Sequence, residues 1–381
     1  MQILAVDVGT GTQDILLFDT DRDPENCLKL VMPSPTLQTA QQIRQATAQR
    51  RALLLTGVTM GGGPNAWAAA DHHRSGLPIF ATAAAARTFD DDLEVVQRQW
   101  GVTLVSEDEA AALLQRASER SDASVAHILL RDFDYAAIRQ AFAAFGVDLR
   151  PDALAVAVFD HGEAPPNVSD RQFRLDYLAQ RLRQGRRLSA FAFPADAIPP
   201  LMTRLHAAAV TAQAQSGLPV YVMDTAPAAI LGALDDPQVR ARPDVQIANI
   251  GNLHCLAFQF AGGEIARLFE HHTGLLDQAG LERWLLALAD GVISHDQVFA
   301  EHGHGAVVLD DAPRPLAFLA VTGPRRGLLA SSRLPIYYAV PHGDQMLAGC
   351  FGLVRAVADL APQWRESIVA ALERGRGRSL W

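Results

Sequence analysis

The chain has 381 residues, of which 49% are hydrophobic and 20% are charged, close to ordinary globular usage. This composition excludes a fibrous repeat or a wholly disordered chain, and the length predicts about two domains. The 33 basic and 42 acidic residues give a net charge of −9. That charge argues against nucleic acid as a partner, because phosphate backbones bind basic surfaces.

The first 60 residues have the pattern of strands around one helix. The stretch ILAVDVGTGTQDILLFD has two apolar runs separated by a Gly/Thr turn, which predicts a β-hairpin, and LKLVMP supplies a third strand. Residues 36 to 50 have the pattern of a helix with a polar face, and ALLLTGV is typical of a buried strand. The predicted order of this part is β-β-β-α-β.

The middle of the chain is interpreted as inserted material. Helices are predicted near 107 to 120 and 134 to 145, and an apolar strand over 153 to 159. The strand LPVYVMD then leads into the helix TAPAAILGAL, and the charged, proline-containing DDPQVRARPD is typical of a linker. We therefore predict an N-terminal lobe over 1–240, which contains the insertions, and a C-terminal lobe over 241–381.

The second part of the chain repeats the opening pattern. VQIANIGNLHCLAFQF is again strand, glycine turn and strand, and the segments that follow complete the order β-β-β-α-β-α-β-α. Aligning the two hairpins places Asp7 on Asn249 and Gly9 on Gly251. This correspondence indicates an internal duplication.

The turn of the first hairpin is suited to binding phosphate. Tight Gly/Thr turns point backbone N–H groups at an anion, and Thr10 and Thr12 add hydroxyl donors. Asp7, at the end of the preceding strand, is placed to hold Mg²⁺ through water. An ordinary hairpin is the alternative for this motif alone, and the matching turn in the second half favours phosphate binding.

The order of these motifs resembles the actin, Hsp70 and sugar-kinase superfamily, whose two duplicated lobes clamp ATP between paired phosphate hairpins. DVGTGTQD at 7 to 14 and NIGNLH at 249 to 254 look like its two phosphate motifs. The segments at 224 to 235 and 348 to 352 are similar to its connecting helices, and VTGPRRG at 321 to 327 occupies the place of its adenosine loop. The overall likeness is greatest to a family of that superfamily labelled as pyruvate formate-lyase activating enzyme.

This resemblance implies an α/β, duplicated, two-lobed actin-like ATPase (ribonuclease H-like) fold with insertions in the N-terminal lobe. It also implies that ATP and Mg²⁺ bind between the lobes, together with an unidentified small-molecule substrate. The residues expected at the nucleotide are Asp7, Gly9, Thr10, Gly11, Thr12, Gly251, Asn252, His254, Gly323 and Arg325.

Two positions depart from the active kinases of the superfamily. Asp14 stands where many members carry a basic residue, and its charge repels ATP unless a metal intervenes or the side chain turns away. Asn249 stands where most members have an Asp that organises the metal. Both departures favour nucleotide binding over fast phosphoryl transfer. For transfer, Asp160 is the candidate general base, and the alternative is that it caps the turn before His161.

The activating-enzyme label conflicts with the cysteine spacing. A radical-SAM cluster needs three closely spaced cysteines, whereas Cys27, Cys255 and Cys350 lie far apart, so we exclude radical-SAM chemistry. The same spacing argues against a disulfide framework and fits a reducing cytoplasm. No signal-peptide pattern is present, and no apolar run reaches the roughly 18 residues that span a bilayer. We predict a cytoplasmic protein without a membrane partner.

Two histidine-rich segments indicate a metal site for Zn²⁺ or Fe²⁺. EHHTG contains His271 and His272, and EHGHG contains His302 and His304. Imidazole is the commonest transition-metal ligand, and an H-x-H on an extended segment points both side chains to one side. The alternative is that these histidines hydrogen-bond loop backbone or contact a phosphate. The predicted ligands are His302, His304, one of His271 or His272, and Asp310 or Asp311.

Three functions remain open from the sequence. The first is an enzyme that hydrolyses ATP or phosphorylates a small metabolite in the interlobe cleft. The second is a nucleotide-gated accessory protein with little or no catalysis, whose closure changes the surface offered to a protein partner. The third is a metal-dependent hydrolase centred on the histidines of the same scaffold. Substrate contacts are expected from residues 60 to 215.

Overall fold

The computed structural model describes residues 1–119, 124–165 and 167–374. The strands of these residues are, in chain order, β1 (Gln2–Val8), β2 (Thr12–Asp19), β3 (Leu28–Pro33), β4 (Ala52–Gly57), β5 (Ile79–Thr82), β6 (Val102–Val105), β7 (Val125–Leu130), β8 (Ala153–Val158), β9 (Ala192–Pro194), β10 (Val220–Asp224), β11 (Gln246–Ile250), β12 (His254–Ala261), β13 (Glu264–His272), β14 (Gly305–Val308), β15 (Leu319–Thr322) and β16 (Ile336–Tyr338). The α-helices are α1 (Pro35–Ala48), α2 (Pro64–Arg74), α3 (Ala83–Ala86), α4 (Leu93–Trp100), α5 (Glu107–Glu119), α6 (Tyr135–Ala144), α7 (Asp170–Gln184), α8 (Thr203–Ser216), α9 (Thr225–Ala233), α10 (Pro237–Arg240), α11 (Gln278–Asp290), α12 (His295–Ala300), α13 (Ala348–Leu360) and α14 (Pro362–Glu373). None of these helices is long and apolar enough to cross a membrane.

The first six-stranded sheet has the order β3-β2-β1-β8-β10-β9. β1, β2 and β3 form an antiparallel meander, and β8 and β10 run parallel to β1. Every residue of β8, ALAVAV, is buried, as expected for the central strand of a sheet that is covered on both faces. The interpretation of residues 153 to 159 as inserted material is therefore wrong, because this strand lies at the centre of the sheet.

The inserted material forms a separate parallel sheet with the order β6-β5-β4-β7. β4, which contains the ALLLTGV run, pairs with β5 and β7 and not with the first sheet. The predicted chain order β-β-β-α-β is confirmed. The sheet that β4 joins did not follow from that order, because a short apolar run suits the centre of any parallel sheet. The helices predicted near 107 to 120 and 134 to 145 correspond to α5 and α6, and residue 120 lies outside the described residues.

The second six-stranded sheet repeats the first. Its order is β14-β13-β12-β11-β15-β16, with the same antiparallel meander and the same two parallel strands beside it. The two hairpins also close in the same way: Gly9 N–H donates to Thr12 O, and Gly251 N–H donates to His254 O, each at 2.9 Å. The predicted duplicated α/β fold of the actin-like, ribonuclease H-like type, with insertions in the first half, is confirmed.

Two helices join the repeated halves at their centre. α9 follows the last parallel strand of the first half, α13 follows that of the second half, and both belong to one apolar cluster that includes strands of both sheets. A Cβ added at Gly232 would lie 1.7 Å from Ala348 O, and one added at Gly352 would lie 1.9 Å from Ala228 O. The helices therefore touch backbone to backbone, which only glycine at these positions allows.

The segment predicted to be a linker is packed against the second half. Asp236 caps α10 and is 1% exposed, and its carboxylate accepts hydrogen bonds from the Tyr337 hydroxyl and from Val340 N–H. A buried carboxylate with these partners holds the segment in place. The boundary of the lobes at residue 240 stays a prediction.

We predict that Gly352→Ala lowers the free energy of unfolding by about 1–3 kcal/mol, because the new methyl group overlaps Ala228 O. Chemical denaturation measures this change. Gly327→Ala is the matched control, since no described atom lies within 4 Å of the Cβ that it would add. A Gly352→Ala variant as stable as the control would show that the helices do not cross this closely.

Candidate functional site

A cavity of about 370 Å³ lies between the repeated halves. The turns of both hairpins, the first turns of α9 and α13 and the loops after β4 and β5 of the insertion form its wall. The residues expected at the nucleotide that line it are Asp7, Gly9, Thr10, Thr12, Gly251, Asn252, His254 and Gly323. Gly11 and Arg325 are outside the lining that the described residues form. The fold therefore brings most of these positions to one cleft.

The two hairpin turns face each other across this cleft. A Cβ added at Gly11 would lie 2.7 Å from Asn252 Nδ2, so the turns are in direct contact. The first turn is held by Ser34, whose hydroxyl donates to Thr10 O at 2.6 Å and whose N–H donates to Gly11 O at 3.2 Å. Two opposed glycine turns create a narrow, backbone-lined space, which is the shape that a phosphate chain requires.

Asp7 lies where the N-terminal ends of α9 and α13 meet. The Thr225 hydroxyl at the start of α9 donates to Asp7 Oδ1 at 2.5 Å. A Cβ added at Gly349, in the first turn of α13, would lie 1.8 Å from Asp7 Oδ2. Helix N-termini carry partial positive charge, so this point of the cleft favours anions and the metal ions that accompany them.

Asp14 is the cross-strand neighbour of Asp7 and also lines the cleft. Burial raises the pKa of Asp7 to about 7, against the opposing hydrogen bond from Thr225. Burial and the charge of Asp7 raise the pKa of Asp14 to about 8. Among the described residues, nothing hydrogen-bonds to Asp14 Oδ1. The Asp14 side chain has therefore not turned away from the cleft. Two adjacent carboxylates, one of which has an oxygen without a hydrogen-bond partner in the described part of the chain, are a donor set that suits a divalent cation.

Arg174 connects the two halves beside the cleft. It lies on α7 and is 2% exposed. Its guanidinium donates to Asp224 Oδ2 at 2.5 Å at the end of β10 and to both oxygens of Glu270 at 3.0 Å on β13. Burial acts to lower the pKa of Arg174, but the two carboxylates outweigh it and raise the pKa above its usual value. This ion pair therefore ties the first sheet to the second.

Four histidines gather beside this ion pair. His161 Nε2 lies 3.3 Å from His304 Nε2, and the rings of His254 and His272 lie 4.9 and 4.7 Å from the ring of His304. Burial lowers the pKa of each, to about 3 for His161, so the imidazoles are neutral near pH 7. The sequence pattern indicated His272 and His304. It did not single out His161 and treated His254 only as a phosphate-hairpin residue.

The other predicted metal ligands lie elsewhere. His271 belongs to the opposite face of β13 from His272, because side chains alternate along a strand, and its Nδ1 lies 3.1 Å from His272 O. His302 is exposed and has a φ of 66°, so the H-x-H segment is not extended. Asp310 is paired with Arg314. Within the described residues, the group close enough to hold a metal consists of His161, His254 and His304, and it contains none of these side chains.

Asp160 lines the cleft, but both of its oxygens are hydrogen-bonded to backbone. Oδ1 accepts from Gly162 N–H and Oδ2 from Leu205 N–H, each at 2.8 Å, and the side chain is 3% exposed. These bonds hold the turn after β8 and the first turn of α8. The arrangement fits the turn-capping alternative and gives no support to the general-base role.

The insertion contributes a second set of cleft residues that the sequence did not identify. A Cβ at Gly63, in the glycine cluster after β4, would lie 3.2 Å from Leu253 of the second hairpin. Asp91, after β5, lines the cleft, and burial together with the charges of Asp170 and Glu163 raises its pKa to about 6. The carboxyl ends of parallel strands are common ligand sites. The glycine cluster that follows the apolar run of β4 was therefore the sequence signal that could have identified this part of the cleft.

We predict that Asp7 and Asp14 contribute stability to the metal-free protein that is lost as the pH rises from about 4 to about 8. Their pKa values of about 7 and about 8 keep both protonated in the folded state through most of this range, whereas the unfolded chain loses these protons near its usual pKa of about 3.9. Asp14→Asn should remove part of this slope, on the order of a few kcal/mol across the range. Denaturation at a series of pH values tests this, with the exposed Asp71→Asn as control. An equal dependence of the free energy of unfolding on pH in the unchanged protein and in both variants would contradict this prediction.

We also predict that Arg174→Met lowers the free energy of unfolding by about 3–5 kcal/mol, because it leaves Asp224 and Glu270 buried without their cation. Arg283→Met is the control, since Arg283 pairs with Glu301 on the exposed surface and should cost less than about 1 kcal/mol. Chemical denaturation at pH 7 compares the two variants. Similar losses would mean that the buried pair does not hold the halves together.

Comparison with solved structures finds similar chains, among them three at low identity. A protein of Listeria monocytogenes described as a "putative N-acetylmannosamine kinase" is 10% identical with a TM-score of 0.34, over 94% of this chain and 99% of that chain. A ROK family transcriptional regulator, a homologue of the E. coli MLC protein, is 10% identical with a TM-score of 0.25, over 69% and 37%. An exopolyphosphatase-like protein is 9% identical with a TM-score of 0.22, over 84% and 65%.

Comparison with protein sequences identifies the family. None of the curated proteins matches this chain. A family model described as "Putative pyruvate format-lyase activating enzyme (DUF1786)" matches residues 60–328, which is more than half of the chain and extends from the insertion into the second sheet. The chain therefore belongs to the DUF1786 family.

Proposed function

We propose that this protein binds a magnesium nucleotide, ATP in the first place, in the cleft between its two halves. The observation that carries the proposal is the meeting of three features at one point: two opposed glycine turns, two helix N-termini and the buried pair of Asp7 and Asp14. Each feature alone is common in proteins, and together they offer amides to phosphates and carboxylates to the accompanying cation.

In this proposal, different residues bind the phosphates and the cation of the nucleotide. The turn amides and the hydroxyls of Thr10 and Thr12 bind the phosphate oxygens, and the positive ends of α9 and α13 favour their negative charge. Asp7 and Asp14 would hold Mg²⁺, and the unpaired Asp14 Oδ1 fits that role. When bound, Mg²⁺ offsets the phosphate charge that Asp14 would otherwise repel. Gly323, whose φ is 99°, brings the adenosine loop against Asn249 of the second hairpin.

The proposal also includes a reaction of the bound nucleotide. We propose hydrolysis of ATP or phosphoryl transfer to a small metabolite that enters beside the insertion, where Gly63 and Asp91 line the cleft. The alternative is an accessory protein in which nucleotide binding only closes the cleft onto a partner. Asn249 favours the alternative, because an amide binds a metal more weakly than the carboxylate of an Asp. Release of inorganic phosphate or of a phosphorylated metabolite distinguishes the enzyme from the accessory protein.

Radical-SAM chemistry, which the description of the family suggests, has no suitable residues in this chain. Cys27 and Cys350 pack in the cluster around α9 and α13, whereas Cys255 belongs to a separate apolar cluster of the second sheet. Burial raises the pKa of Cys255 to about 12, which opposes the thiolate that an iron–sulfur cluster requires. We therefore propose no activating-enzyme reaction for this chain.

The proposal predicts that Mg-ATP raises the thermal stability of metal-stripped protein. A ligand at 100 times its Kd stabilises the fold by about 2.7 kcal/mol, and Asp7→Ala should abolish this increment. Asp71→Ala, an exposed change on α2, should retain it. Thermal unfolding measures binding, and release of inorganic phosphate, with and without candidate acceptors, measures turnover.

The outcomes separate the candidate functions. Stabilisation with phosphate release supports the enzyme, and stabilisation without it supports the accessory protein. Two results would contradict the nucleotide proposal. One is that neither Mg-ATP nor Mg-ADP stabilises the protein at millimolar concentration. The other is that the nucleotide stabilises the Asp7→Ala variant as strongly as the control.

A further inference from the structure

We propose that His161, His254 and His304 form a binding site for Zn²⁺ in the wall of the cleft. The site goes beyond nucleotide binding and does not depend on it, because none of its ligands belongs to the pair of Asp7 and Asp14. Its three histidines come from both halves of the molecule: His161 follows β8 of the first sheet, His254 begins β12 of the second sheet, and His304 directly precedes β14 of the second sheet.

The distances between the ring nitrogens suit a zinc ion. One nitrogen of each histidine lies within 4.8 Å of the other two. The Nε2 atoms of His161 and His304 are 3.3 Å apart. Two ligands of a tetrahedral zinc ion, each roughly 2.0 Å from the metal, are separated by about 3.3 Å. The three nitrogens therefore lie close enough together to share one ion.

His304 is the most deeply buried of the three proposed ligands. Its Nε2 faces His161 and lies 3.6 Å from Glu270 Oε1. An ion bound by both Nε2 atoms would replace this contact between two neutral imidazoles with a metal bond to each.

The surrounding charges are mixed. Arg174 is paired with Asp224 and Glu270, and Glu270 Oε1 lies 3.6 Å from His304 Nε2. The positive charges of Arg174 and Arg204 act against a cation at His161 and His254. What favours an ion here is therefore the convergence of three imidazole nitrogens and not an attractive charge.

Neighbouring groups hold the ligands in place, as they do in established metal sites. The Phe159 ring stacks on His254 with the ring centres 4.2 Å apart, and the Arg174 guanidinium lies 3.8 Å above the same phenyl ring. Backbone N–H of His304 donates to Glu270 O at 2.9 Å, and Arg171 donates to Gly303 O at 2.6 Å. His254 and the loop before His304 are therefore both oriented before a metal arrives.

The donor set selects zinc over non-haem iron. Iron(II) sites commonly use two histidines and one carboxylate, whereas here both oxygens of Glu270 are bound to Arg174, and three imidazoles remain. His161 and His254 also line the cavity, so the fourth position of the ion faces the cleft and would take water or an anionic oxygen of a ligand. His272, with its ring 4.7 Å from that of His304, is the internal competitor for that position.

The test uses the full chain, stripped of metal and titrated with Co²⁺, whose intense visible absorption reports tetrahedral coordination. We expect one tetrahedral Co²⁺ per chain, displaced by one Zn²⁺. His161→Ala and His304→Ala should each weaken binding by roughly 100-fold or more, since loss of even an orienting partner costs about 10–100-fold. His272→Ala should leave the Co²⁺ affinity within a few-fold of the unchanged protein if the fourth position faces the cleft.

His302→Ala is the matched control. His302 was also a candidate from the sequence and lies two residues from His304, but it is exposed and should leave the Co²⁺ affinity unchanged. Asp7→Ala should likewise leave it unchanged, which separates this site from the magnesium site. Circular dichroism of each variant verifies that it folds, and His161 is only partly buried, so its loss spares the core.

Three results would overturn the proposal. The first is the absence of tetrahedral Co²⁺ absorption in the unchanged protein at millimolar Co²⁺. The second is equal binding by the folded His161→Ala variant. The third is an equal loss of binding in His302→Ala. Because nucleotide is absent throughout, failure of this site leaves the proposed nucleotide binding untouched.

Discussion

Arg174 is a buried cation that must be neutralised from both halves of the molecule. Its partners belong to strands of different sheets, Asp224 at the end of β10 and Glu270 within β13, so the two sheets can approach only where both carboxylates reach one guanidinium. An unpaired charge at this depth would cost several kcal/mol. The same guanidinium also lies over the ring of Phe159, and that ring stacks on His254. The orientation of the cleft wall therefore follows from one electrostatic requirement.

The cleft that results has two chemically different regions. At the hairpins, glycine turns and helix N-termini favour anions, while Asp7 and Asp14 retain protons until a cation replaces them. Beside Arg174, neutral imidazoles lie against the ion pair of Arg174 and Glu270. His254 belongs to both regions, since it closes the second hairpin and stacks in the histidine cluster. A ligand held by the hairpins would therefore lie close to the proposed zinc ion.

Local patterns predicted those parts of the site that are local in sequence. The hairpin turns, with Gly9 and Gly251 in equivalent positions, follow from glycine chemistry within a few residues, and so do the small-residue helices α9 and α13. The role of His161 could not be predicted this way, because its partner His304 is 143 residues distant. The H-x-H rule also failed at His302, because it assumes extended backbone and that residue has a positive φ.

The sequence by itself determined the elements, the duplicated α/β fold and the turns that face the cleft, because apolar periodicity and glycine conformation act over short distances. Only the tertiary structure decided which apolar run lies in which sheet, because the runs of β4 and β8 are equally suited to a buried parallel strand. It also decided that Asp14 is buried against Asp7 and that three distant histidines converge. Those outcomes depend on packing and on charge neutralisation between segments far apart in the chain, which no local pattern records.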